Sequence, residues 1–319
     1  MTAADTATQG NDRTGRQARA EREVRAIRED LIPAMVLVRS KSFRHDGRRM
    51  AYTVYGEGPR VTVLLHGLLL SQRMHEPLAR SLAEHGNRVV TLDLLGHGRS
   101  ERPTDMSCYS MVQFGEQVVA LLDHLDVDEA VVLGTSLGAN AALEVAAAAP
   151  QRLRGMVIEM PVLDGALLAC ALAFTPLMVA LSFGEPLMRV VQRGARLVPR
   201  LPWAADILLD TLRQDPAPGA SVLGGLFFGR VAPPRELRRA IPTRTLVIGH
   251  HRDPVHPFSD AGKLAEELPD AQLLEASSII ELRVAPERLT GEIAGFIDGC
   301  WLPKPAERRP RARRASGSS

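Results

Sequence analysis

The stretch Ala130-Val131-Val132-Leu133-Gly134-Thr135-Ser136-Leu137-Gly138 decides how this chain is read. A short apolar run enters Gly-x-Ser-x-Gly, and an alanine-rich segment follows until Pro150. The first part has the length and flanking glycine of a buried strand, and the second has the composition of a helix. Ser136 therefore stands on a tight strand-to-helix turn, which lifts its hydroxyl clear of the sheet. Glycine on either side leaves room for helix and strand to approach closely. The positive helix end beneath favours negative charge developing beside the serine. Ser136 is the candidate nucleophile.

Working outward, short apolar runs alternate with helical stretches. Strands are expected over residues 61–65, 88–92, 130–133, 156–158, 245–248 and 272–275, and helices over 109–125, 137–149 and 286–301. Such alternation predicts βαβ units and an α/β, doubly wound, mostly parallel sheet. Ahead of it, residues 36–38 and 50–55 flank the turn His45-Asp46-Gly47, the pattern of a hairpin. The expected organisation is a polar N-terminal arm over residues 1–34, a core over 35–163 and 236–302, and a basic tail over 303–319. Residues 164–235 break the alternation and are expected to form a helical cap between the sixth and seventh strands of the sheet. Within the cap, residues 165–184 carry no charge. That run is long enough to cross a bilayer, but Pro176 interrupts it and no second run accompanies it. The expectation is a buried pair of lid helices, broken near Thr175-Pro176 and covering the active-site mouth, with no transmembrane span.

Three further motifs sit at strand ends. His66-Gly67-Leu68-Leu69-Leu70 follows the strand at 61–65, where the backbone N–H of Leu68, with that of Leu137, can form an oxyanion hole. Asp93-Leu94-Leu95-Gly96-His97-Gly98-Arg99-Ser100 reads as a loop-fixing device; His66 and His97 are read as structural. Gly249-His250-His251-Arg252-Asp253-Pro254-Val255-His256-Pro257 places Asp253 where an acid can orient a histidine. These motifs, in this order, resemble the α/β-hydrolase superfamily, in particular its capped serine hydrolases with an HG oxyanion motif. The resemblance covers about Arg39 to Trp301. It implies Ser136 as nucleophile, Asp253 as triad acid, and Leu68 and Leu137 as oxyanion donors. A serine at the elbow disfavours relatives that use aspartate there, such as dehalogenases and epoxide hydrolases.

The resemblance also implies a histidine after the last strand, and the chain lacks one. Ser278-Ile279 stands where Gly-His is expected, and no histidine follows His256. Without a base the serine hydroxyl is a poor nucleophile at neutral pH. Two candidates remain, His256 and His75, the latter close to the oxyanion motif. Glu281 and Arg283 are expected to form a surface ion pair. The implied function is hydrolysis of a small apolar ester or related acyl substrate, with residues 166–183 lining an apolar pocket. The alternative is a catalytically silent relative that binds a ligand or partner because its base is replaced near Ile279.

Composition narrows the rest. A net charge of +2 over 319 residues gives no reason to expect a nucleic-acid partner. Three scattered cysteines offer no metal or redox spacing, so no metal or cofactor is implied. Those cysteines and the polar N-terminus, which lacks the apolar core of a signal peptide, fit a reduced cytoplasmic compartment.

Overall fold

The computed structural model describes residues 36–302, so the expected N-terminal arm and basic tail lie outside the described residues. Strands β1 (Val38–His45) and β2 (Arg48–Tyr55) form the expected hairpin. Its two turn residues, Asp46 and Gly47, both have positive φ, the twist that matches a tight hairpin. The chain continues through β3 (Val61–Leu65), α1 (Glu76–Glu84), β4 (Arg88–Asp93), α2 (Met111–His124), β5 (Ala130–Thr135), α3 (Leu137–Ala148) and β6 (Leu153–Glu159). The region expected as the cap holds α4 (Leu167–Phe183), α5 (Glu185–Leu197), α6 (Trp203–Leu212) and α7 (Pro216–Phe227), and α8 (Arg235–Ala240) leads out of it. The chain then returns to the sheet with β7 (Thr245–His250), α9 (Phe258–Glu267), β8 (Ala271–Ala276), the short α10 (Glu281–Val284) and α11 (Glu287–Trp301).

One sheet of eight strands, ordered β1-β2-β4-β3-β5-β6-β7-β8, organises the fold. The pairings of β1 with β2 and of β2 with β4 are antiparallel, and every other pairing is parallel. Continuous apolar strands are what a parallel sheet covered on both faces requires. Alternate residues divide accordingly. Val63, Leu65 and Val132 pack with Phe114 and Val118 of α2 and the alanines of α3, while Leu64, Val131 and Leu133 meet Leu82 of α1 and Ile293 of α11. Each fully buried Val, Leu, Ile or Phe among them contributes about 1.5–3 kcal/mol of transfer free energy. Strand order reverses direction at β3 and β5, so the crevice beyond their C-terminal ends is the place such sheets offer a ligand.

The uncharged run does not form a buried, broken pair. It is one continuous helix, α4, with Pro176 inside and Leu181 its single buried residue among the described ones. Proline removes one helical N–H; Pro176 and Leu172, four residues back, are both exposed, so water can satisfy the freed carbonyl. The root of α4 is tied to the core by Asp260 on α9, whose buried carboxylate accepts from the N–H groups of Leu163, Gly165 and Ala166. Farther out, the pairs of Arg73 with Asp206 and Asp210 fasten α6 to the segment after β3, and Arg213, at the end of α6, pairs with the same two carboxylates.

Candidate active site

Ser136 has φ 53° and ψ −108°, a backbone conformation costly for a residue with a side chain. Its surroundings hold it there. Its N–H donates to the Glu159 carbonyl and its own carbonyl accepts from Asn140. A Cβ on Gly134 would lie 2.1 Å from the Gly138 backbone, and one on Gly138 would lie 2.3 Å from the Leu65 carbonyl oxygen. The turn is possible only because residues 134 and 138 are both glycine.

The imidazole of His256 reaches the serine: Ser136 Oγ lies 2.9 Å from His256 Nε2. Asp253 lies behind it, with Oδ2 2.9 Å from His256 Nδ1. The loop closes on itself because Asp253 Oδ1 also accepts from the N–H groups of Val255 and His256, the local turn that aspartate favours. Pro254 and Pro257 bracket this turn, and Pro257 leads directly into α9. An ionised Asp253 accepts, so Nδ1 carries the imidazole proton and Nε2 offers its lone pair to the serine. Burial would raise the Asp253 carboxyl, but the hydrogen bonds from His256 and Val255 outweigh it and hold it below the usual carboxylate range.

The other candidates separate clearly. Leu68 and Leu137 flank the serine in a common cavity, and among the described residues neither backbone N–H has an acceptor. His75 is not placed at Ser136: it is buried, its Nε2 donates to the Leu65 carbonyl, and burial lowers its pKa to about 3. His66 shapes its loop, donating from Nδ1 to the Gly67 carbonyl and accepting the Leu94 N–H at Nε2. Asp93 fixes the next loop through Gln72 and the Arg99 N–H. Ile279 is 41% exposed and does not line the cavity at Ser136. The imidazole that meets the serine thus comes from the loop after β7, not from the region of Ile279.

Glu281 and Arg283 do not pair with one another. Glu281 pairs with Arg288, and Arg283 turns inward to Glu159, 2.8 Å away. Glu159 ends β6 directly behind the elbow, accepts from Thr135 Oγ1 at 2.5 Å, and lies 3.4 Å from His250 Nε2. Burial would raise this carboxyl, but the Arg283 guanidinium and the His250 contact hold it well below the usual range. This buried cluster escaped the sequence reading. A charged residue closing an otherwise apolar strand, as in Ile158-Glu159, was the available signal.

A cavity of about 350 Å³ opens beside Ser136. Its walls are apolar: Met111 and Val162 from the core, Leu167, Phe174 and Met178 from α4, and Leu223 from α7.

A serine on such an elbow, below a helical insertion, defines an α/β-hydrolase, and the chain belongs to that superfamily. The family described as the alpha/beta hydrolase fold matches residues 61–191. The chain is 30% identical over 206 residues to a 2-hydroxymuconate semialdehyde hydrolase of Pseudomonas putida, covering 58% of this chain and 67% of that one. A non-heme haloperoxidase described as putative, from Mycobacterium phage D29, is 37% identical over 114 residues, 35% of this chain and only 40% of its own length. Among solved structures, the enol-lactonase of Burkholderia xenovorans superposes with a TM-score of 0.66 at 21% identity, over 81% of this chain and all of that one.

Proposed function

We propose that this protein is a serine hydrolase that cleaves small apolar esters or related acyl compounds. The observation that carries the reading is the 2.9 Å contact between Ser136 Oγ and His256 Nε2. In the proposed reaction, His256 takes the Ser136 proton as Oγ attacks the acyl carbon. The carbonyl oxygen then becomes an oxyanion that the Leu68 and Leu137 N–H groups stabilise. Collapse of this intermediate breaks the bond to the leaving alkoxide, which receives the proton from His256. Water repeats the sequence on the acyl-enzyme and releases the acid. Asp253 orients the imidazole and offsets its charge. General-base assistance of this kind is worth ~10²–10⁴ in rate, and each oxyanion donor ~2.7–4 kcal/mol. The apolar substrate class follows from the cavity walls, which leave an acyl chain nothing to hydrogen-bond except near Ser136 and Asn140.

The test is covalent labelling by a fluorophosphonate, followed by mapping of the adduct. The expected adduct is on Ser136, with none on Ser136→Ala and strongly slowed labelling on His256→Ala. A well-folded parent that stays unlabelled and hydrolyses no ester would overturn the proposal in favour of the silent binding protein.

A further inference from the structure

The cap presents more apolar surface to solvent than a closed lid requires. Helix α4 is apolar on every side. Leu167, Cys170, Ala171, Phe174 and Met178 face the cavity, while Leu168, Leu172, Val179 and Phe183 form a second stripe that faces outward. The outward set is spaced by four, seven and four residues, which keeps it on one helical face. Leu172 is 69% exposed and Phe183 is 84% exposed. A helix hydrophobic all round belongs in a protein interior or in lipid. Helix α5 extends the surface with Leu187, Val190, Val191 and Leu197, the last 85% exposed. Its inner side is marked by buried Ala195, and its remaining surface is arginine-rich. Between Leu167 and Arg200 the cations are Arg189, Arg193, Arg196 and Arg200, against Glu185 as the one acid. Exposed apolar stripes bordered by arginine match the interface of an anionic bilayer, where apolar burial and attraction to the headgroups act together.

We propose that the outer faces of α4 and α5 dock this protein peripherally on an anionic lipid surface. Phe227, at the end of α7, is half exposed and also lines the cavity, so docking by the cap sets the cavity mouth beside the apolar layer. Docking leaves α4 in the cap. A bilayer crossing would strip its inner face from α7 and open the cavity at Ser136. The proposal is independent of the chemistry assigned to Ser136, because binding is read without turnover.

The experiment is co-sedimentation of the full chain with vesicles of phosphatidylcholine alone or with one third phosphatidylglycerol, in low and high salt. The expected result is binding to the anionic vesicles, weakened by salt and released by an alkaline carbonate wash. Leu168→Gln/Leu172→Gln/Phe183→Gln should lower partitioning by at least about tenfold, and Arg193→Glu/Arg200→Glu by a similar factor. Both variants alter exposed side chains and should keep the parent's melting temperature. Binding unchanged by the triple variant would locate the contact elsewhere, for instance in the arginines of residues 308–314, and overturn the proposal. Retention through the carbonate wash would indicate a true span, and a stripe-dependent dimer without vesicle binding would make a second copy the occupant. Either result also overturns it.

Discussion

Replacing Asp253 by asparagine separates the chemistry of its loop from the loop's shape. The carboxylate divides its work: Oδ1 holds the backbone turn through Val255 and His256, and Oδ2 accepts the imidazole Nδ1–H. Asparagine keeps an oxygen for the turn and puts an amide NH₂ where Oδ2 stood. That group donates, so the imidazole must offer a lone pair at Nδ1 and carry its proton on Nε2, pointing a donor at Ser136. The base then cannot accept the serine proton, and the carboxylate that would offset an imidazolium is gone. Loss of this function by tautomer reversal lowers kcat by ~10⁴, which at 1.36 kcal/mol per decade is about 5 kcal/mol of barrier. Because the turn survives, Asp253→Asn should melt close to the parent, whereas Asp253→Ala loses the turn bonds and should melt lower. The assay is pre-steady-state hydrolysis of p-nitrophenyl butyrate, with thermal melts run on the same samples. A variant within tenfold of the parent rate would refute the reasoning, as would a rate loss fully explained by unfolding.

Gly138→Ala should destabilise the protein by ~1–3 kcal/mol in urea unfolding, because the new Cβ meets the Leu65 backbone rather than a movable side chain. Burial opposes protonation of His250, but the Glu159 carboxylate prevails and raises its pKa above the ordinary 6.5. The folded protein therefore holds a proton that the unfolded chain releases, and this stabilisation is complete below pH 6.5 and fades as pH rises through the folded value. Accordingly, His250→Gln should lower Tm more at pH 6 than at pH 9, and an equal loss at both would sink the argument. Ala171→Trp should narrow the cavity and lower kcat/KM for an octanoate ester ~10–200-fold relative to the acetate; an unchanged ratio would move the acyl site elsewhere. Ile279→His should leave ester hydrolysis within about twofold of the parent, since in the proposed mechanism general-base assistance already comes from His256; a large gain would show that His256 is not the working base.

The parts of the fold that could be read in advance are those fixed by local chemistry. Residues 130–138 are legible because a buried strand, a positive-φ serine and two glycines under steric demand leave one geometry open. Asp46-Gly47 is legible for a similar reason. What escaped depends on partners distant in the chain. Glu159 and Arg283 are separated by 124 residues, and nothing beside Arg283 signals that it turns inward. The α4 sequence is uniformly apolar, so its composition cannot say which face packs and which faces out. His256 could be named in sequence only as one of two candidates, because the resemblance points to a histidine after the last strand and none stands there. Closure of the loop depends on the Asp253 turn, marked in sequence only by Pro254 and Pro257.

That closure changes how the site responds to motion. Where acid and base stand on different loops, thermal displacement can part them from each other as well as from the serine. Here both belong to one short turn, and their hydrogen bond is internal to it. The pair travels as a single piece, leaving the Ser136–His256 gap as the one separation that loop movement can alter. In the proposed mechanism the segment of residues 277–280 supplies no imidazole, so it should accept side-chain change that an ordinary triad would not survive.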